Sequence, residues 1–255
     1  MKLTDKKRWR YNANWGSRST IDMVKRRDEW LAIVRRILPD APLRYLELGC
    51  APGLYTAALA EGTQWNISGI DFSVDAQRFV DTLAVVGKQV SLHHMDMFVE
   101  RIDEQFDVVC SFGLVEHFRG ATLESVLQLH DSYIYEGGYV VLEMPNFTGF
   151  QYFWHYLFDR PDLDNHNVDV MQPAAMLWFK ERGYEILFND YVGVMRLWGN
   201  TGWLKYWILG KLVAAVAVSL SKVARILDRF GIKLRGRSWS PDFLMIARKI
   251  RVEAR

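Results

Sequence analysis

At 255 residues, with 50% hydrophobic and 14% aromatic content, the chain has enough apolar side chain to bury a core as one domain, which excludes a disordered or fibrous protein. Cys50 and Cys110, its two cysteines, lie in separate apolar runs without a CxxC or Cys/His grouping, so neither a disulfide framework nor a zinc module is expected and a reducing cytoplasm suits the composition. The net charge of +2 is unevenly divided: residues 1–29 carry nine Lys/Arg against four Asp/Glu, residues 30–195 ten against 23, and residues 196–255 thirteen against three. Basic ends suit an anionic partner, such as a phosphate-bearing acceptor, a membrane surface or nucleic acid, and they equally suit docking on the acidic middle.

In chain order, the start has the charge of a leader (Lys2, Lys6, Lys7, Arg8, Arg10) but no apolar stretch after it, so export is not expected. Ile21–Ile37 has the spacing of one amphipathic helix, ended by Pro39. From Arg44 onward short apolar runs alternate with helical patterns, the mark of a mostly parallel sheet covered by helices on both faces. Strands are predicted at Arg44–Leu48, Asn66–Ile70, Val90–His93, Phe106–Phe112, Tyr139–Met144, Tyr184–Val192 and Phe243–Ala247. Helices are predicted over Leu54–Ala60, after Ser73 as N-cap to Gly87, after Thr122 to Gly137-Gly138, and from Pro173 to Gly183.

Two stretches exceed a minimal alternation. Pro145–Val170 reads as a long aromatic loop suited to covering an acceptor. Trp198–Ser238 reads as a basic helical insertion before the last strand: if Leu204–Phe230 is one helix, Lys211, Lys222, Arg225 and Arg229 share one side and Leu212, Val216, Leu220, Val223, Leu227 and Phe230 the other. Such a helix either lies peripherally in a membrane interface or docks its apolar side on its own domain. The organisation is thus a single domain over 1–255, with an N-terminal lid or helix at 1–40, a core at 41–197 and 239–250, and the insertion at 198–238.

The chemistry sits in Arg44–Leu54, a strand running through Gly49, Cys50, Ala51, Pro52 and Gly53 into a helix. Small residues there let the backbone approach a ligand, and free N–H groups at the helix start face its negative part. Asp71, after the next strand, stands where an acid accepts hydrogen bonds from ribose hydroxyls. A dinucleotide fingerprint needs a third small residue where Leu54 stands, which weighs against NAD. Each residue alone has a plainer reading: the glycines make a turn, Asp71 caps a helix, Asp96 is a loop acid. Glu47 is the least ambiguous, because a carboxylate inside an apolar strand is costly without partners.

The turn resembles the first motif of class I S-adenosylmethionine (SAM)-dependent methyltransferases: an acid, then Gly, then Gly four places on, here Glu47, Gly49 and Gly53. Asp71-Phe72 resembles the family's ribose-binding motif, Asp96-Met97 its adenine-contacting pair, and Phe106–Gly113, with Ser111, its fourth strand, whose end faces the methyl group. Leu114–Phe118 is similar to small-molecule methyltransferases of the ubiquinone-pathway and polysaccharide-cluster kinds. The resemblance implies a seven-stranded Rossmann-like sheet with the last strand antiparallel beside the fifth. It also implies SAM as cofactor, bound through Glu47, Gly49, Ala51, Gly53, Asp71, Phe72, Asp96, Met97 and Ser111, with S-adenosylhomocysteine as product.

A base is needed only where the acceptor must lose a proton, and His117 is the expected one. The alternative is that its ring only hydrogen-bonds its neighbours. His155 and His166-Asn167 are further candidates for acceptor contact, whereas His93 and His94 point to opposite strand faces. No compact ligand set follows the fourth strand, so no metal is expected. The basic segment with Tyr11 and Trp15 is expected to close over the cofactor. The acceptor reads as a small molecule, glycan or lipid-linked compound. The alternatives are an RNA methyltransferase, though no Asn/Asp-Pro-Pro-Tyr motif or RNA-binding module is present, and a membrane-associated SAM-fold protein without turnover.

Overall fold

The computed structural model describes residues 16–198 and 207–250. The apolar spacing over Ile21–Ile37 predicts one helix, but two form, α1 (Arg18–Arg27) and α2 (Trp30–Ile37). Between them Asp28 is buried in an extended conformation. Its carboxylate accepts from Arg27 Nε and Nη2 at 2.7 and 2.6 Å and from Arg196, far along the chain. A tertiary ion pair therefore breaks the helix, and no periodicity reports it.

The alternation then proceeds as expected: β1 (Arg44–Leu48), α3 (Leu54–Ala60), β2 (Asn66–Asp71), α4 (Gln77–Val85), β3 (Val90–His94), β4 (Phe106–Phe112), α5 (Gly120–Ser132) and β5 (Ile134–Pro145). Ser73 does not cap α4. Its hydroxyl is buried without a partner, while its N–H donates to Asp71 Oδ1 at 2.7 Å. Gly137-Gly138 does not stop α5 but lies inside β5, where the register against β4 shifts between Phe106 and Val108. A Cβ on Gly138 would stand 2.9 Å from the Asp107 carbonyl oxygen, so close strand approach at a bulge explains the glycine.

Pro145–Val170 is not a loop. Its aromatics build α6 (Gly149–Phe158), followed by α7 (Arg160–Asn165). The predicted helix from Pro173 is only a 3-10 turn and the short α8 (Leu177–Lys180). Then come β6 (Tyr184–Val192), α9 (Trp207–Arg229) and β7 (Asp242–Lys249). The sheet order is β3-β2-β1-β4-β5-β7-β6, parallel except for β7, which runs antiparallel to both β5 and β6.

Alternation along the strands fills two layers. Leu46, Leu48, Val109 and Leu142 pack with Val126, Leu127 and Leu129 of α5, while Tyr45, Val108, Cys110 and Val141 pack with Ile21, Trp30 and Leu54 of α1–α3. α9 docks by a third edge that neither expected side contains. Val213, Ala217, Ser221 and Ala224 are buried there, against Trp154, Met195 and Leu197. Ser221 Oγ accepts from the Leu197 N–H at 2.9 Å and donates to the Ala217 carbonyl at 2.7 Å. The side expected to dock stays outside: Leu212 is 59% exposed and Phe230 80%, with Val216, Leu220 and Val223 also exposed. Small side chains let the helix approach closely by a narrow edge, which leaves the large apolar ones facing away.

Candidate functional site

Strand connections diverge between β1 and β4, so a crevice opens at their carboxyl ends, the usual ligand position in a doubly wound sheet. The turn after β1 is shaped by two left-handed glycines, Gly49 (φ +68) and Gly53 (φ +78). The N–H of Gly49 donates to the Ile70 carbonyl at 2.8 Å. A Cβ on Gly49 would stand 2.9 Å from Leu114 Cδ1, and one on Gly53 would stand 2.6 Å from Phe79 Cδ2. The glycines thus bring the turn against the β4 loop on one side and against α4 on the other.

Asp71 joins the two turns of the crevice, accepting from the Ala51 N–H at 3.0 Å and from the Ser73 N–H at 2.7 Å. A carboxylate has about four acceptor positions, so this bracing leaves capacity for ribose hydroxyls. Glu47 is buried at the end of β1, where Thr56 Oγ1 donates to it at 2.5 Å. Burial raises its pKa well above the carboxylate range and outweighs the Thr56 bond, with the nearby Asp71 charge adding to the rise. Phe72 is half exposed after β2. Asp96 turns the chain after β3 by accepting from the Phe98 N–H at 2.9 Å, and Met97 is buried beside it. Ser111 behaves differently: its hydroxyl meets His130 Nε2 at 3.0 Å in the core, so only its backbone is left for the crevice.

After β4 the 3-10 turn Val115–His117 brings Glu116 and His117 against His166, with His155 and Asp162 nearby. The rings of His117 and His166 have centroids 4.6 Å apart, and Phe147 packs tilted against His155 and edge-on against His166. Burial, with the neighbouring His166, lowers the His117 pKa to about 4, and burial lowers that of His166 to about 4 as well. Both rings are neutral at physiological pH. Burial raises Glu116 to about 8. The sequence spacing shows no such group because its members come from separate elements.

On the other layer, sequence reasoning missed a charged group around Asp28, Glu143, Arg196 and Asp242. Arg196 Nη2 donates to Asp242 Oδ1 at 3.2 Å. Glu143, buried in β5, has its pKa raised by burial and then by the neighbouring acids Asp242 and Glu116. It carried the same signal as Glu47, an acid inside an apolar strand. Trp30, Tyr55 and Phe112 cluster beside this group, with centroids 5.0, 5.2 and 5.8 Å apart. Tyr11 and Trp15 lie outside the described residues.

A doubly wound sheet with its final strand inserted antiparallel between β5 and β6, and a glycine turn at the switch point, is the architecture of class I SAM-dependent methyltransferases. The profile of the family described as "Methyltransferase domain" matches residues 24–187, and the chain belongs to that family, whose cofactor is SAM. Among solved structures it is similar to a SAM-dependent methyltransferase from Archaeoglobus fulgidus, at 19% identity and TM-score 0.54, over 90% of this chain and 94% of that one. It is also similar to the N-methyltransferase NodS from Bradyrhizobium japonicum in complex with S-adenosylhomocysteine, at 13% identity and TM-score 0.52, over 98% and 95%. These likenesses concern the fold. No curated protein matches the sequence.

Proposed function

We propose that this methyltransferase binds SAM along the β1–β2–β3 edge and passes the methyl group to a small-molecule, glycan or lipid-linked acceptor held between the end of β4 and α6–α7. The carrying observation is the left-handed turn of Gly49 and Gly53, braced by Asp71 over the buried Glu47. Burial penalises the charge of the Glu47 carboxylate, a cationic partner offsets that penalty, and the amino end of the cofactor is one. Ala51 and Gly53 present backbone close to the ligand, Asp71 takes the ribose, and Phe72, Asp96 and Met97 flank the adenine. Ser111 contributes its backbone near the methyl.

SAM supplies an already activated methyl carbon, so the chain's task is to align an acceptor in line with it and exclude water. Where the acceptor carries a proton, His117 is the nearest neutral imidazole after β4.

Calorimetry with SAM and S-adenosylhomocysteine, followed by turnover of labelled SAM with acceptor pools, tests the reading. Binding of both compounds with transfer of label supports it; no heat with either, alongside binding of a nicotinamide nucleotide, overturns it.

The lipid-linked class is favoured by α9. No helix among the described residues is long and apolar enough to cross a membrane. Yet Ile208, Leu212, Val216, Val223, Ile226 and Phe230 are exposed on one arc of α9, and Lys211, Lys222, Arg225 and Arg229 run along its flank. An apolar arc edged by cations matches the surface of an anionic bilayer, with the helix lying in its plane. The protein should float with phosphatidylglycerol vesicles and not with phosphatidylcholine ones. Failure to float, or concentration-dependent self-association that covers the arc instead, removes this part.

A further inference from the structure

The end of β4 holds an arrangement that cofactor binding does not use. One donor atom from each of Glu116, His117 and His166 lies within 4.8 Å of the others. Glu116 is 1% exposed, and its carboxylate oxygens have no hydrogen-bond partner beyond the residue's own N–H. Its position is nonetheless fixed, because the Asn167 N–H donates to its carbonyl at 2.6 Å. Leaving a carboxyl buried and unsatisfied is costly, and a cation removes that cost.

The imidazoles are oriented for the same purpose. His166 Nδ1 lies 2.5 Å from the Asp162 carbonyl oxygen and His117 Nδ1 lies 3.5 Å from that of Asn165. A carbonyl oxygen only accepts, so the proton of the neutral His166 ring sits on Nδ1 and its lone pair on Nε2, while His117 also bonds the Gly113 carbonyl. This is the outer bonding that usually holds a ligating histidine.

We propose that Glu116, His117 and His166 bind one divalent transition cation, of the zinc, iron(II) or manganese(II) class. Two imidazoles and one carboxylate suit these borderline cations, whereas magnesium and calcium take oxygen sets. Three protein donors leave coordination positions open. Resting on the proposed acceptor position, an acceptor hydroxyl fills one of them and its O–H proton passes to solvent. The oxygen lone pair then forms the bond to the methyl carbon while the carbon–sulfur bond breaks, its electrons staying on sulfur. His117 is in this reading a ligand, and the cation does the acidifying. His155, Asp159 and Asp162 form an adjoining set of donors and are the competing location.

Titrating chelator-treated protein with cobalt(II) tests the site. The expected result is a visible absorption band that saturates at one equivalent, is displaced by zinc, and carries the magnetic-resonance signature of two imidazole nitrogens. Glu116→Gln and His166→Asn should each weaken binding on the order of 100-fold, with far-UV dichroism unchanged. Absence of the band, a count of fewer than two imidazoles, or undiminished binding in both variants overturns the site; the last places the cation at His155. The imidazole count is made on the wild type, so it stands even if a variant misfolds. Calorimetry with S-adenosylhomocysteine on the same metal-free sample separates this failure from failure of the cofactor reading.

Discussion

The two flanks of the crevice differ in how far the chain travels to position each side chain. On the proposed cofactor flank the ties are short: Thr56 to Glu47 spans nine residues and Ala51 to Asp71 spans 20. Towards β5, β7 and α6 they are long: Arg196 reaches Asp28 across 168 residues, and buried Asn146 donates to the Ser240 carbonyl, 94 residues away, at 2.8 Å. Gln151 of α6 likewise donates to the Arg196 carbonyl at 2.9 Å. A strand, turn and helix can set the first flank almost alone, whereas the second exists only once β6, α9 and β7 are in place. The proposed cofactor flank is accordingly set by local geometry, and the β5–β7 side by closure of the whole chain.

The contrast breaks most visibly at Asp28. Asp28→Ala leaves Arg196 half-deprived of partners in a buried setting and should cost about 3 kcal/mol or more of stability in denaturant unfolding. A loss below about 1 kcal/mol would mean that the long-range tie is not structural.

Asp71→Ala should be the mirror image. It removes the brace between two turns and the proposed acceptor for ribose, so S-adenosylhomocysteine affinity should fall by about 2 kcal/mol, roughly thirtyfold. Calorimetry on a variant with unchanged dichroism checks this, and an unchanged affinity would put the cofactor elsewhere.

The pH dependence sharpens the picture of the proposed acceptor flank in the metal-free protein. Burial lifts Glu116 from its ordinary 4.5 to about 8, so between these values the folded state holds more protons than the unfolded one, and stability is lost as pH rises through that window. His117, His130 and His166 are lowered from 6.5 to about 4, so the folded state holds fewer protons there and stability rises with pH from about 4 to 6.5. Glu116→Gln removes only the first effect. Thermal unfolding should therefore show the variant gaining on the wild type at pH 8.5 relative to pH 4.5, and a pH-independent difference would contradict the burial argument.

The smallest change in stability is expected on α9. Leu212→Ser, Val216→Ser and Val223→Ser together alter exposed positions, so each should shift stability within about 0.5 kcal/mol. Vesicle flotation should nevertheless be lost, and a large destabilisation would show that the arc is packed rather than outward.

Legibility followed the same division. β1, α3 and β4 have the bounds their patterns predict, and Glu47 announced itself as an acid in an apolar strand. Glu143 is equally an acid in an apolar strand, but no glycine turn follows it to mark a site. Gly137-Gly138 misled, since a glycine pair that ends a helix and one that eases a bulge look alike without the partner strand. The aromatic density of α6 read as a loop because its buried and exposed faces answer to distant residues: Trp154 Nε1 donates to the Trp198 carbonyl at 2.8 Å.

The sequence alone determined a parallel sheet with helices on both faces, the glycine turn and the acids around it, because strand alternation and turn geometry act over a few residues. Tertiary structure alone decided three things: where the first helix breaks, which edge of α9 docks, and that Glu116 and His117 meet His166. Each depends on groups that become neighbours only when the chain closes, and spacing along the chain carries no record of that distance in space.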